Sequence, residues 1–288
     1  MKSITKSTAG ILAAVLFMAS VPAVSFPVHA DPAVITIRTK EDLMELARVC
    51  TSESYSEGKQ VILEADLDLS GEAFAPIPVF CGTFEGNHHT IRGLDLVSPG
   101  SNLGLFRYLE EEAVVRNLKL YGDLKPEGSR KRIGGIAGTN KGRIVNCSFW
   151  GTGEALETLG GIAGINEASG VIEDCINYSD LTGNRKIGGI AGENAGTIQN
   201  SVNEGEINAA SEGLDEDTNS KNAIAVDREK LLSTIVVEKV NDVGGIAGLS
   251  SGSIRQCSNS GRVGYEHTGY NIGGIAGRQT GLMVLCEN

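Results

Sequence analysis

The pentapeptide Gly-Gly-Ile-Ala-Gly occurs five times in this chain, starting at Gly134, Gly160, Gly188, Gly244 and Gly273. The starts lie 26, 28, 56 and 29 residues apart. Periods of this length define a solenoid, in which each unit buries its apolar face only against its neighbours. The 56-residue interval equals two periods, so either one coil is degenerate or an insertion displaces it. Weaker copies extend upstream: Leu103-Gly104-Leu105-Phe106 followed by Val115-Arg116-Asn117-Leu118, and before it Gly82-Thr83-Phe84-Glu85-Gly86 followed by Ile91-Arg92-Gly93-Leu94. Roughly seven or eight coils are expected.

The units read as strands. They are short, rich in β-branched residues and broken by Gly and Asn, with no long run of helix formers. Ile144 and Cys147 are three apart, as are Ile198 and Ser201, and Ile254 and Cys257. Strand alternation cannot put residues i and i+3 on one face. A corner is therefore expected between them, at Asn146, Asn200 or Gln256, since Asn tolerates the left-handed backbone. Two residues after the cysteine slot stand Asn177, Asn203, Asn259 and Asn288, which stacking would turn into an asparagine ladder. A leucine-rich repeat has a similar period, but it needs several leucines per unit and usually a helical return. The expected fold is all-β, a parallel β-helix (β-solenoid) with an N-terminal capping strand and helix and one insertion.

The repeats Gly135-Ile136-Ala137-Gly138 and their copies resemble the GLUG motif of secreted bacterial repeat proteins. That motif also occurs in the non-catalytic region of IgA-specific metallopeptidases. The lead-in from Leu63 to Gly71, followed by Gly82-Thr83-Phe84-Glu85-Gly86-Asn87-His88-His89-Thr90-Ile91, is similar to the usual opening of such regions. The resemblance spans about Val61 to Asn288. It implies a right-handed β-helix with a surface or adhesin-like role and no defined ligand. His88 and Cys81 depart from the pattern, which favours glycine or a small residue there.

The ends differ from the repeats. Residues 1–30 read as a signal peptide, with Lys2 and Lys6 before an apolar run and Val28-His29-Ala30 as the cleavage site. Secretion to the extracellular space or cell surface is expected. Residues 31–60 form an N-terminal cap: Thr39 and Asp42 make a capping-box variant, and Leu43, Leu46, Ala47 and Cys50 share one helix face. Such a helix would plug the open end of the solenoid. The repeats occupy residues 61–288, interrupted by an insertion at 209–242. The chain stops inside a repeat at Asn288, so further domains of a longer chain are expected as covalent partners.

Loss of a signal with two lysines and no acids takes the formal charge from −11 to −13. That charge disfavours nucleic acid as a partner, and no membrane insertion is expected after signal removal. The glycine pairs lack the lysine and the helix of a phosphate-binding loop. Cys147, Cys175, Cys257 and Cys286 share a slot held by Ser201 in another coil and by Leu118 and Leu94 upstream. Cysteine there reads as a small interior hydrophobe, and paired Cys-x-x-Cys spacings for zinc are absent. A Cys50–Cys81 disulfide is left open. Asp215, Asp217 and Asn219 begin like an EF-hand loop, but Ser220 and Val226 stand where Gly and Glu are needed. No cofactor or metal is expected.

A polysaccharide-active enzyme, lyase or hydrolase, is the main catalytic alternative. It requires converging carboxylates, yet no later acid stacks on Asp66 and Asp68, and no His-Glu-x-x-His exists. No catalytic residue is assigned. Three residues after the core slot lie Tyr121, Trp150 and Tyr178, in consecutive coils. Facing out, they would form a hydrophobic strip for sugar faces or a partner protein; facing in, an interior stack. These three are the candidate ligand-binding residues. The expected function is a non-catalytic, adhesin-like module that binds an extracellular glycan or protein ligand, or displays another domain.

Overall fold

The structure, a computed structural model, describes residues 33–96, 100–127, 131–208, 241–264 and 271–288. The signal segment, most of the insertion and its EF-hand-like stretch lie outside the described residues. All described residues belong to one unit, Pro32–Asn288.

The unit is a parallel β-solenoid with three sheets. The first sheet stacks nine strands, from Val34–Ile37 to Leu282–Val284, and the third stacks seven, from Ile77–Phe80 to Ala276–Gln279. The second sheet has twelve strands and carries the longest, Ser148–Gly160. Equivalent residues pair throughout: Ala137, Ala163, Ala191, Ala247 and Ala276 form one column. Ile144, Ile172, Ile198 and Ile254 form another, fully buried.

This register resolves the 56-residue interval. Thr197–Gln199 pairs directly with Ser253–Arg255, so the coils starting at Gly188 and Gly244 are neighbours and no degenerate coil intervenes. The chain leaves the frame after Asn208 and resumes pairing at Val243–Gly244. Two upstream alignments shift. Leu103 pairs with Ile133 rather than standing in the place of Gly134, because the earlier corner is one residue shorter. Leu94 pairs with Gly122 on the following strand and does not fill the cysteine slot, because four residues separate Glu85 from Thr90 where two separate Arg116 from Lys119. Leu118 does occupy that slot and is buried.

The corners fall between the two inward residues of each coil. Asn117, Asn146, Asp174, Asn200 and Gln256 adopt φ values of 56°, 51°, 53°, 50° and 50°. The glycines of the repeated pentapeptide, by contrast, all have φ outside the left-handed region. They serve close approach. A Cβ on the second glycine of the last four motifs would meet the ladder asparagine: Gly161 at 2.1 Å from Asn177 Oδ1, Gly189 at 2.2 Å from Asn203 Oδ1, Gly274 at 2.1 Å from the Asn288 side chain; on Gly135 it would meet the Phe149 ring at 2.7 Å.

Those asparagines form the expected ladder. Asn177 Nδ2 donates to Asn203 Oδ1, Asn203 to Asn259 and Asn259 to Asn288, each at 2.7 Å. Each of the first three also donates to the backbone carbonyl two residues on, which satisfies the turn. A second ladder runs inside the opposite corner: Asn140 to Asn166 and Asn166 to Asn194 at 2.8 Å, then Asn194 to Ser250 at 3.1 Å.

At the N-terminal end the helix Lys40–Val49 buries Leu43, Leu46 and Ala47 in the same apolar cluster as the coils. Thr39 caps it: Thr39 Oγ1 accepts from Asp42 N at 3.2 Å, and Asp42 Oδ2 accepts from Thr39 N at 2.9 Å. The first coils are filled by Phe80, Phe84 and Phe106, whose ring centroids lie 5.1–6.4 Å apart.

Glu85 is the most embedded carboxylate of these coils. It accepts from Arg116 Nε at 2.6 Å, Asn117 Nδ2 at 2.8 Å and Asn87 N at 2.9 Å. Burial pushes its pKa up, but these three donors outweigh burial and hold it below the ordinary range. A depressed folded pKa gives stability that is present above the unfolded value, about 4.3, and lost as pH falls through the folded value. Glu85→Gln is expected to cost about 1–2 kcal/mol at pH 7. It should also flatten the acid-side fall of the urea midpoint; an unchanged acid profile would refute this role.

Candidate ligand-binding face

Strand alternation builds the outer face of the second sheet. Leu120 pairs with Phe149 and Phe149 with Asn177, all inward. The next residue of each strand must then point out. Tyr121 pairs with Trp150, and Tyr178 N donates to Phe149 O at 2.8 Å, which sets Tyr178 beside Trp150. All three aromatics are half-buried on the exterior.

The rings form a continuous stack. Tyr121 and Trp150 have centroids 4.6 Å apart and planes 5° from parallel; Trp150 and Tyr178 are also 4.6 Å apart, at 7°. Both faces of the indole are therefore covered. The outward strip is thus a ridge that offers ring edges, because the coil spacing matches the stacking distance. The ladder has charged ends: the Arg92 guanidinium lies 5.5 Å from the Tyr121 centroid, and Glu204 follows Tyr178 in the next coil. Burial first, then the Glu204 carboxylate and Tyr121, pushes the Tyr178 phenol up.

Two residues along each strand runs an acidic column that the sequence reading passed over. Asp95 pairs with Asp123, Asp123 with Thr152 and Thr152 with Asp180, and the bridge from Leu181 to Ile207 puts Glu206 next. Thr152 Oγ1 donates to Asp123 Oδ1 at 2.6 Å, and Asp180 Oδ1 accepts from Glu206 N at 2.9 Å. The signal was present, since Asp123, Thr152 and Asp180 lie two residues after Tyr121, Trp150 and Tyr178. The ridge thus has carboxylates along one side.

Other candidate chemistry falls apart or inward. Asp66 accepts from His89 Nδ1 at 3.0 Å and Thr90 N at 2.9 Å, and these bonds, the backbone one first, hold its carboxyl below the usual range. Among the described residues no three His, Cys, Asp or Glu side chains are grouped to hold a metal ion. All six cysteines are free thiols, Cys50 and Cys81 included. Cys50 Sγ donates to Val79 O at 2.9 Å. Burial, then the adjacent Cys147, pushes the Cys175 thiol well up, and burial takes Cys257 up to about 11. Only Cys286 is partly exposed. Native alkylation is expected to add one label, at Cys286, and denatured alkylation six; a mass deficit of two labels after denaturation would reveal a disulfide.

No known family profile matches the chain. It is 31% identical over 151 residues to "Halomucin" from Haloquadratum walsbyi, covering 46% of this chain and 2% of that protein. It is 35% identical over 96 residues to a "Putative Gly-rich membrane protein" from Evansella cellulosilytica, covering 31% of this chain and 11% of that one. The chain thus spans only a small part of the curated relatives it matches. Among solved structures it is similar to a "putative immunoglobulin A1 protease" from Bacteroides ovatus, with a TM-score of 0.53 at 16% identity. That match covers 87% of this chain and 77% of the other. Likeness at this identity establishes a shared fold.

Proposed function

We propose that this protein is a non-catalytic, adhesin-like repeat module of the cell surface or extracellular space, built of GLUG-type coils. The outer face of its second sheet binds a glycan or protein ligand. The observation that carries this reading is the exterior Tyr121–Trp150–Tyr178 ladder with the acidic column beside it. The core closes without these rings. Ring edges carry the positive end of the aromatic quadrupole. The phenol and indole donate hydrogen bonds, and the neighbouring carboxylates accept them. That combination complements a polyhydroxylated chain, so a glycan is the first ligand to test. The secretory-type N-terminal segment supports the surface location. So do the matches to proteins named "Halomucin" and "Putative Gly-rich membrane protein".

Trp150→Ala is expected to reduce binding on glycan and matrix-protein arrays at least tenfold. The stability cost should be limited to the two stacked pairs, about 1–2 kcal/mol beyond burial. A large fall in melting temperature with array binding intact would make the ladder purely structural. Release of reducing sugars or unsaturated products from any offered glycan would overturn the non-catalytic assignment.

A further inference from the structure

A second site lies at the corner between the long strands of the second sheet and the third sheet. Lys131 pairs with Glu157 and Glu157 with Arg185, while Ile133, Leu159 and Ile187 pair further on. Arg132, Thr158 and Lys186 therefore stack in three successive coils. All three are left-handed, with φ of 59°, 63° and 54°. None is the Gly or Asn that such a backbone favours, and Thr158 is β-branched, the least tolerant class. Asn102, opposite Arg132 in the preceding coil, is left-handed as well at φ 56°, so the bend is a regular corner of the solenoid, and what distinguishes it here is the side chains it carries.

The three line a cavity of about 230 Å³, with Lys131, Glu157, Ile165 and Glu193 completing its wall. Its charges are partly used. Glu157 is bridged by Lys131 at 3.2 Å and Arg185 at 3.9 Å, and Lys186 Nζ is bound to Glu193 at 2.7 Å. Burial raises the pKa of Glu157, but Lys131 and Arg185 overcome burial and keep it ionised. The Arg132 guanidinium makes no ion pair with the described residues, and it is exposed at the rim. Thr158 is only 3% exposed, and among the described residues its hydroxyl makes no hydrogen bond. Thr158 lines the cavity together with the two cations.

We propose that this corner binds the carboxylate of a single sugar-acid residue. The Arg132 fork takes the two oxygens, the Thr158 hydroxyl and the Lys186 ammonium donate from the next coils, and Ile165 supports the apolar face of the ring. A guanidinium matches a carboxylate in bidentate geometry. The chain's formal charge of −11 disfavours a polyanion and leaves a singly charged group as the fitting ligand. The site is separate from the aromatic ridge and does not depend on it.

The test titrates the full chain with methyl glucuronide, its neutral counterpart methyl glucoside, and sodium sulfate, at low ionic strength by calorimetry. Saturable glucuronide binding is expected, with the glucoside at least tenfold weaker. Arg132→Gln should weaken glucuronide at least tenfold, and Thr158→Ser should retain it. Trp150→Ala should leave it unchanged, which separates this site from the ridge. The idea is overturned by absent glucuronide binding, by equal glucoside binding, or by an Arg132→Gln protein that folds and binds normally. Sulfate that binds as tightly as glucuronide, with the same Arg132 dependence, would also overturn the sugar acid as ligand. If Arg132→Gln fails to fold, Arg132→Lys serves instead: it keeps the charge without the fork, and full retention of affinity would refute bidentate capture.

Discussion

Gly189→Ala is expected to destabilise the solenoid by about 3 kcal/mol or more, at the upper end of overpacking costs. The added methyl would sit 2.2 Å from Asn203 Oδ1 and 2.2 Å from Gly245 O. Neither neighbour is the loose end of a flexible side chain. Asn203 is fixed by hydrogen bonds on both sides, and Gly245 N and O belong to the backbone of the next coil. The two coils must therefore separate locally, which weakens the parallel pairing around them. Urea denaturation with hydrogen exchange would measure it. A midpoint within error of wild type would refute the close-approach account of the glycine pair.

Asn203→Ala should cost about 4 kcal/mol. Asn203 is fully buried, accepts from Asn177 and donates to Asn259 and to Gly205 O, the last at 2.9 Å. Truncation strands a donor on Asn177 and acceptors on Asn259 and Gly205, each carrying about 1–3 kcal/mol of uncompensated desolvation. The Gly189→Ala and Asn203→Ala changes should be less than additive in one protein, because truncating Asn203 removes one of the two clashes of the new methyl. Because a solenoid's stability is a sum of neighbour terms, exchange protection should fall first in the coils around Gly189 and Gly245. Full additivity would argue that glycine and asparagine are not linked.

Much of this was legible in the repeats. Ile144 and Cys147 at i and i+3 demanded a corner, and Asn146 stands there with φ 51°. The aromatic column was readable from spacing, but its ring orientation was not. That depends on a shared rotamer at 4.6 Å separation, which no residue identity states. The second ladder could have been read from the Asn that ends each Ala-Gly-x-Asn strand. The Arg132–Thr158–Lys186 corner could not, because tertiary packing forces left-handed geometry on residue types that carry no mark of it. Leu94 was misplaced because an upstream corner carries extra residues that a fixed period does not anticipate.

The direct stacking of Thr197–Gln199 on Ser253–Arg255 has a consequence for how such chains diversify. The strand Asp180–Gly188 receives both sides of the interruption: Leu181 bridges Ile207, and Ile187 pairs with Val243. In the preceding coil the same gap is crossed by Gly183-Asn184-Arg185 between Thr182 and Lys186. The departing and returning ends are thus held at a fixed span by one neighbouring strand, whatever lies between them. The count of coils is therefore set by the scaffold's own pairing and not by the length of chain between Asn208 and Asn241, so coil number and chain length can vary independently in such proteins.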